Sequence, residues 1–369
     1  MLPELDRHPH ARAVLAPALA QDGAASHAYL FHGPGGAGKR AAARAVAAEW
    51  LAANAANPES ARARAVDGAH PDLTWVAPSG AHEILVGDID RPVVAASSMT
   101  PFEADCRVFV IESVDELGPQ AANKMLKTLE EPPSFVHLIL LSDRLAEVLP
   151  TIRSRCQLVR FDAAPEKQVA SELESLGAAP QAALASARLA LGDADRARML
   201  TSPEGAQLRQ RAEAFARAAL AGEIAQSRPW VGLLAAVRER GEHVLAQIET
   251  RLAAELELHP RKDRRRVQSE WAERGRRARR RAETEALDLA LALVCLWFSD
   301  LLRLAWGAPD LIRHCDRREE LQADMGRDPQ RLRTAIEAVE DTRQRFQLNV
   351  SEDLACEALA YRLEDILGW

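Results

Sequence analysis

Gly33-Pro34-Gly35-Gly36-Ala37-Gly38-Lys39 has the residue types and spacing of a phosphate cradle, G-x-x-x-x-G-K. In such a loop the backbone N–H groups and the lysine hold phosphate oxygens, and a Ser or Thr after the lysine holds magnesium. Here the next residue is Arg40. A guanidinium is no metal ligand, so the anion donors are present without the hydroxyl for the ion. A second departure accompanies the first. An acidic residue at the end of another strand normally helps organise magnesium, and a carboxylate beside it orients the attacking water. The corresponding strand, VFVI, ends in Glu112-Ser113. Glu112 can still reach a cation, but Ser113 cannot act as a base. Loss at both places together points to a chain no longer required to hydrolyse ATP. A plainer reading stands beside it, in which Glu112 and Ser113 merely end a buried strand.

The elements that must position these residues alternate in type. Apolar runs predict strands at Ala28–His32, Leu73–Val76, Arg107–Ile111, Val136–Leu141 and Cys156–Phe161. Lys39–Ala53 and Pro119–Glu131 read as helices, the second opened by Pro119 and stopped by Pro132-Pro133. Strands alternating with helices predict an α/β domain, a parallel sheet with helices on both faces. After Asp162 the strand pattern ends. The expected division is residues 1–163, a small helical domain over 164–204, and a larger all-α domain over 205–369.

Composition bounds the rest. The chain has 369 residues and 47% apolar composition, enough for about two or three domains. No apolar run reaches the roughly 18 residues of a membrane span. The charged first 25 residues do not read as a signal peptide. The five cysteines are scattered, with no C-x-x-C, which suits a reducing cytoplasm and gives no disulfide or zinc pattern. A net charge of -7 excludes a general polyanion binder, so any nucleic-acid contact must be local. Residues 261–281 hold eleven Lys/Arg against three acids. That stretch reads either as a patch for DNA phosphate or as a solvated helix paired with neighbouring acids.

One longer stretch is more specific. Residues 123–133 read NKMLKTLEEPP, and Ser154-Arg155-Cys156 follows about twenty residues later. HAYLFHGPGGAGK occupies residues 27–39 and HPD residues 70–72. Together these resemble the clamp-loader branch of the AAA+ ATPases, strongly over the first 160 residues and loosely over 165–205. The resemblance implies an AAA+ P-loop domain, a helical lid domain and a helical collar that mediates oligomerisation.

It also implies partners: other loader subunits of the delta and tau/gamma kinds in a hetero-pentamer, the sliding clamp, and primer–template DNA. Some subunits of that family hydrolyse ATP, and one kind is a stator with degraded ATPase motifs. Arg40 and Ser113 depart in the stator's direction, which leaves ATP or ADP bound without turnover as the cofactor expectation. By the same resemblance Arg155 is an arginine finger acting in trans on a neighbour's nucleotide. Its alternative is a helix cap or a partner for an acid. Ser142 falls near the sensor-1 position, or is a strand-end hydrogen bonder. Arg196, in Gly192–Arg196, lies one residue off the sensor-2 position and is not assigned to nucleotide. Related subunits carry a four-cysteine zinc module before the HPD, but residues 51–69 contain no cysteine, so no zinc is expected. Two other functions remain open. Turnover by the isolated chain marks a motor subunit of such a loader. Failure to bind loader subunits marks an unrelated P-loop enzyme.

Overall fold

Five apolar runs become five parallel strands: β1 (Ala28–His32), β2 (Leu73–Val76), β3 (Arg107–Ile111), β4 (Val136–Ser142) and β5 (Gln157–Arg160). The computed structural model describes residues 2–20, 25–78, 84–258, 264–346 and 350–368. The strands form one sheet in the order β2-β3-β4-β1-β5. Leu30 of β1 lies in register with Leu140 on one side and Leu158 on the other. β4 runs one residue past its apolar stretch, to Ser142. β5 omits Cys156 and Phe161, and as an edge strand it exposes Gln157, Leu158 and Arg160.

Alternate strand residues face opposite sides of a sheet. Tyr29, Phe31, Val108, Val110, Ile139 and Leu141 enter one apolar cluster with Ala42, Ala43, Val46 and Ala47 of helix α1 (Lys39–Ala52). Ala28, Leu30, Phe109, Ile111, Leu138 and Leu140 enter another with Ala121, Ala122, Met125 and Leu129 of helix α2 (Pro119–Glu130). Both faces are covered, which is why the central strands show no polar alternation. Each fully buried Leu, Val or Phe contributes about 1.5–3 kcal/mol of transfer free energy. The expected α/β domain with helices on both faces is the one observed. A short helix α3 (Pro150–Arg153) precedes β5.

The chain divides into two compact units, Met1–Ala164 and Pro165–Trp369. Among the described residues of the second, every regular element is helical. It starts with α4 (Glu166–Ser175), α5 (Pro180–Leu189) and α6 (Ala194–Thr201), then α7 (Pro203–Ala221). Two long helices follow, α8 (Pro229–Leu258) and α9 (Arg264–Ala305), and then α10 (Pro329–Arg345) and α11 (Glu352–Leu367). Its apolar cluster takes Trp230, Leu233, Leu234 and Val237 from α8 and a run from Ala286 to Leu301 from α9. Among these apolar side chains sits one buried polar knot. Asp300 and His314 are both fully buried, with Asp300 Oδ2 2.8 Å from His314 Nδ1. Asp300 also accepts from the backbone N–H of Arg313 and His314 and from Arg303.

Beyond Val237 and Ala286 the two long helices continue as an antiparallel pair. Gly241 lies against Glu283, and Gly275 against Leu245 and Ile248. Much of the basic stretch is here. Residues 261–263 lie outside the described residues. Of the others, Arg277 pairs with Glu273, Arg279 with Glu242 and Glu283, Arg280 with Glu352, and Arg281 with Glu285. Those contacts are what a solvated, acid-paired helix requires. Among the described residues no helix is long and apolar enough to cross a membrane.

Candidate phosphate site

β1, β3 and β4 are adjacent and parallel, so the loops after them converge on one edge of the sheet. From β1 the chain leaves through α1 for the far strand β2, and β1 lies between β4 and β5. A crevice at the carboxyl ends of strands, where connections part in this way, is where open α/β sheets bind ligands. Gly33 has φ +148°, and a Cβ there would lie 2.0 Å from the Phe161 carbonyl oxygen, so only glycine lets the loop turn over β5. Its N–H donates to the Ser142 carbonyl at 3.3 Å. Gly38, with φ +85°, starts α1 and directs the amino end of that helix at the crevice. His8 backs the loop. Its ring packs on Phe161 at 4.8 Å, and its Nε2 lies 3.7 Å from where a Gly38 side chain would begin. Burial pulls the His8 pKa below its ordinary value.

Lys39 is buried and turned onto its own loop. Its Nζ donates to the carbonyls of Gly33 and Pro34, both at 2.6 Å, and lies 2.8 Å from Asp143. An ammonium has three donors, and here three acceptors meet them. Arg40 reaches the end of β3. Its Nε and Nη2 both lie 2.8 Å from Glu112 Oε2, while Trp75 Nε1 donates to Oε1 at 2.6 Å. Glu112 is 8% exposed. The cation it reaches is therefore Arg40, the residue standing where the metal's hydroxyl is missing. Ser113 adopts left-handed backbone, φ 52°, and presents no carboxylate. Ser142 is buried at the end of β4, and its Oγ accepts from the Arg144 N–H at 3.1 Å. The loop and Lys39 fit a phosphate group. The Arg40–Glu112 pair does not fit magnesium.

Arg155 does not join this group. In register, β5 residue Gln157 stands beside Tyr29 and Arg160 beside His32. Arg155 is thus level with the start of β1, while Gly33 follows its end. The five residues of β1, at about 3.3 Å each, put roughly 17 Å of strand between the two edges. Arg155 lies at the amino edge, half-buried rather than fully exposed. Its Nη2 is 2.6 Å from Glu130 of the LKTLEEPP stretch, and its Nη1 donates to the Thr151 carbonyl at 2.9 Å. Both alternatives to the finger role, a helix cap and a partner for an acid, are present as contacts.

The HPD residues hold structure. Asp72 is 1% exposed, and its two oxygens accept from the backbone N–H groups of Phe102, Glu103 and Ala104 at 2.6–3.0 Å. His70 accepts from the Asp72 N–H through Nδ1 and meets Glu103 through Nε2. Burial by itself would raise the Asp72 pKa, but the three backbone donors hold it below the ordinary value. A depressed carboxylate stabilises above its unfolded pKa of about 3.9, and that stability is lost as pH falls. Asp72→Asn turns one acceptor into a donor facing N–H groups, and should cost about 1–3 kcal/mol. Urea unfolding with an unchanged midpoint would contradict this.

Among the described residues no three His, Cys, Asp or Glu side chains are placed to hold a metal ion. Arg196 pairs with Asp193 and Asp288 inside the second unit. Sequence reasoning passed over Asp143, Trp75 and the Arg155 partner Glu130. Asp143 directly follows the sensor candidate Ser142, and Glu130 stood inside the quoted motif, so both had a signal. Trp75 on β2 had none.

Residues 8–165 match the family model described as "DNA polymerase III, delta subunit". The chain is 36% identical to DNA polymerase III subunit delta' of Pseudomonas aeruginosa over 156 residues, 41% of this chain and 47% of that one. It is 36% identical to subunit delta' of Bacillus subtilis over 152 residues, 40% and 46% of the two chains. Subunit tau of Bacillus subtilis is 37% identical over 145 residues, 37% of this chain and 24% of that one. The matches thus span about half the length of the delta' relatives.

Proposed function

We propose, from the match of residues 8–165 to the DNA polymerase III delta-subunit family model, that this chain is the delta'-type stator of a clamp loader. It assembles with delta and tau/gamma subunits in a hetero-pentamer in the cytoplasm. There it helps place the sliding clamp on primer–template DNA and does not itself turn over ATP. Its phosphate loop keeps the capacity to hold ATP or ADP, and it carries no zinc. Identity alone does not separate stator from motor, because a tau subunit is as similar, 37% over 145 residues. The chemistry separates them. One observation carries the reading: the two positions that hydrolysis needs are tied to each other, Arg40 to Glu112.

Arg155 is the finger, lent to a neighbouring subunit. The length of β1 between its edge and this chain's own loop argues against a role in cis. Isolated protein should show no magnesium-dependent ATP hydrolysis. Turnover on the order of one per second, abolished by Lys39→Ala, would instead establish the motor reading. The test of the assembly is co-purification from the native cell with identification of the bound chains. Recovery without any loader subunit overturns the stator reading.

A further inference from the structure

We propose that the phosphate site is built to work without a divalent ion, with the Arg40 guanidinium as its resident cation. Its ligand class is the magnesium-free phosphate tail of a nucleoside di- or triphosphate. This deepens the reading above, since it rests on the cradle having kept its capacity for phosphate.

The argument begins at Glu112. Both its oxygens are engaged, Oε2 by two nitrogens of Arg40 and Oε1 by Trp75. Magnesium binds oxygen at about 2.0–2.1 Å in near-octahedral geometry. To ligate it, Glu112 would have to release Arg40 and leave a guanidinium beside a doubly charged ion. An arginine cannot relieve that repulsion by losing its proton, because it stays charged at any working pH. The residue that should supply the hydroxyl has therefore become a competitor of the ion. Trp75 holds the other carboxylate oxygen from β2.

What remains suits an anion by itself. The loop has its left-handed glycines and the amino end of α1. Lys39 and Arg40 are consecutive at the start of that helix, Lys39 turned onto the loop and Arg40 onto Glu112. Lys39 must exchange Asp143 for phosphate, and Asp143 is more than half exposed and can turn into water. Two fixed cations there replace the lysine and ion of a hydrolysing site.

The experiment uses the full-length protein and fluorescent ADP and ATP analogues, titrated with magnesium and again with EDTA. Wild type should bind with affinities that differ by no more than about twofold between the two conditions. Arg40→Thr restores the hydroxyl and frees Glu112, so its binding should become tighter with magnesium by about tenfold or more, the worth of contacts to a charged group. Arg40→Lys keeps the charge and should stay indifferent to the ion. Lys39→Ala should abolish binding in both conditions, which places the signal at this loop. Wild-type binding that tightens tenfold with magnesium overturns the proposal. So does an Arg40→Thr variant that ignores the ion, or the absence of binding up to millimolar analogue. Arg40 is largely exposed, so these variants should fold. Co-assembly with loader subunits is scored separately. Assembly with magnesium-dependent binding sinks this inference alone, and magnesium-free binding without assembly sinks the stator reading alone.

Discussion

Arg155→Ala should lower DNA-stimulated ATP turnover and clamp loading of a reconstituted loader by about tenfold, while the subunit still folds and assembles. A guanidinium against the γ-phosphate stabilises transition-state charge by roughly a thousandfold or more at the site it serves. If one site of several depends on this arginine, the whole assembly loses about one power of ten. The structure supplies the rival explanation, because Arg155 is bonded to Glu130 and to the Thr151 carbonyl. A partly exposed pair of this kind is worth under about 1 kcal/mol. The two explanations part at Glu130→Ala, which removes the intramolecular acid and leaves the arginine. Under the finger assignment that variant keeps turnover within about twofold, because the arginine still reaches the neighbour. Arg155→Lys should fail to rescue, since lysine lacks the planar fork that matches phosphate. Equal losses in Arg155→Ala and Glu130→Ala would show a structural pair and end the finger assignment.

Asp300→Ala should be the most damaging single change in the second unit, at about 3–5 kcal/mol. It strips His314, Arg303 and two backbone N–H groups of their common acceptor inside an apolar cluster. Trp297 packs edge-on against the His314 ring at 5.1 Å, so the cavity cannot close easily. Burial opposes ionisation of Asp300, but the His314 contact and the backbone donors hold its pKa below the ordinary value. The lowered pKa makes the contribution complete above the unfolded carboxylate's value of about 3.9 and progressively lost as pH falls. Chemical unfolding at pH 7 should show the full loss and at low pH a smaller one. A loss under about 1 kcal/mol at pH 7 would mean the knot is dispensable.

The sheet was legible in the sequence because each buried strand is an apolar run between breakers, and VHLILL admits little else. β5 was less so. An edge strand need not be apolar, and only its pairing with β1 sets its ends. The phosphate cradle was legible for a local reason, since its parts are consecutive. The pairing of Arg40 with Glu112 was not, because 72 positions separate them. Arg40 could be seen as a departure and Glu112 as a carboxylate able to reach a cation, but that the two pair follows only from α1 and β3 meeting at the same edge. The edge occupied by Arg155 is not legible for a similar reason. A residue before a strand and a residue after one look equally terminal in sequence, and only parallel register separates them by the length of the strand.

The paired long helices have a consequence for how such a chain can change over generations. The described residues 238–258 of α8 and 264–285 of α9 lie past the last members of the apolar cluster, Val237 and Ala286. At about 1.5 Å per residue that is roughly 30 Å of helix pair. There the two helices pack on each other, as Gly275 does on Leu245 and Ile248, and ion pairs at the base of the pair, Arg238–Asp353 and Arg280–Glu352, tie it to α11. Removing or adding seven residues in both helices returns the seam to nearly the same face, within about 20°. Neither edit touches Trp297, Asp300 or the cluster around them. Length in this arm is thus a free dimension for insertion and deletion, whereas the loop from Gly33 to Lys39 tolerates neither.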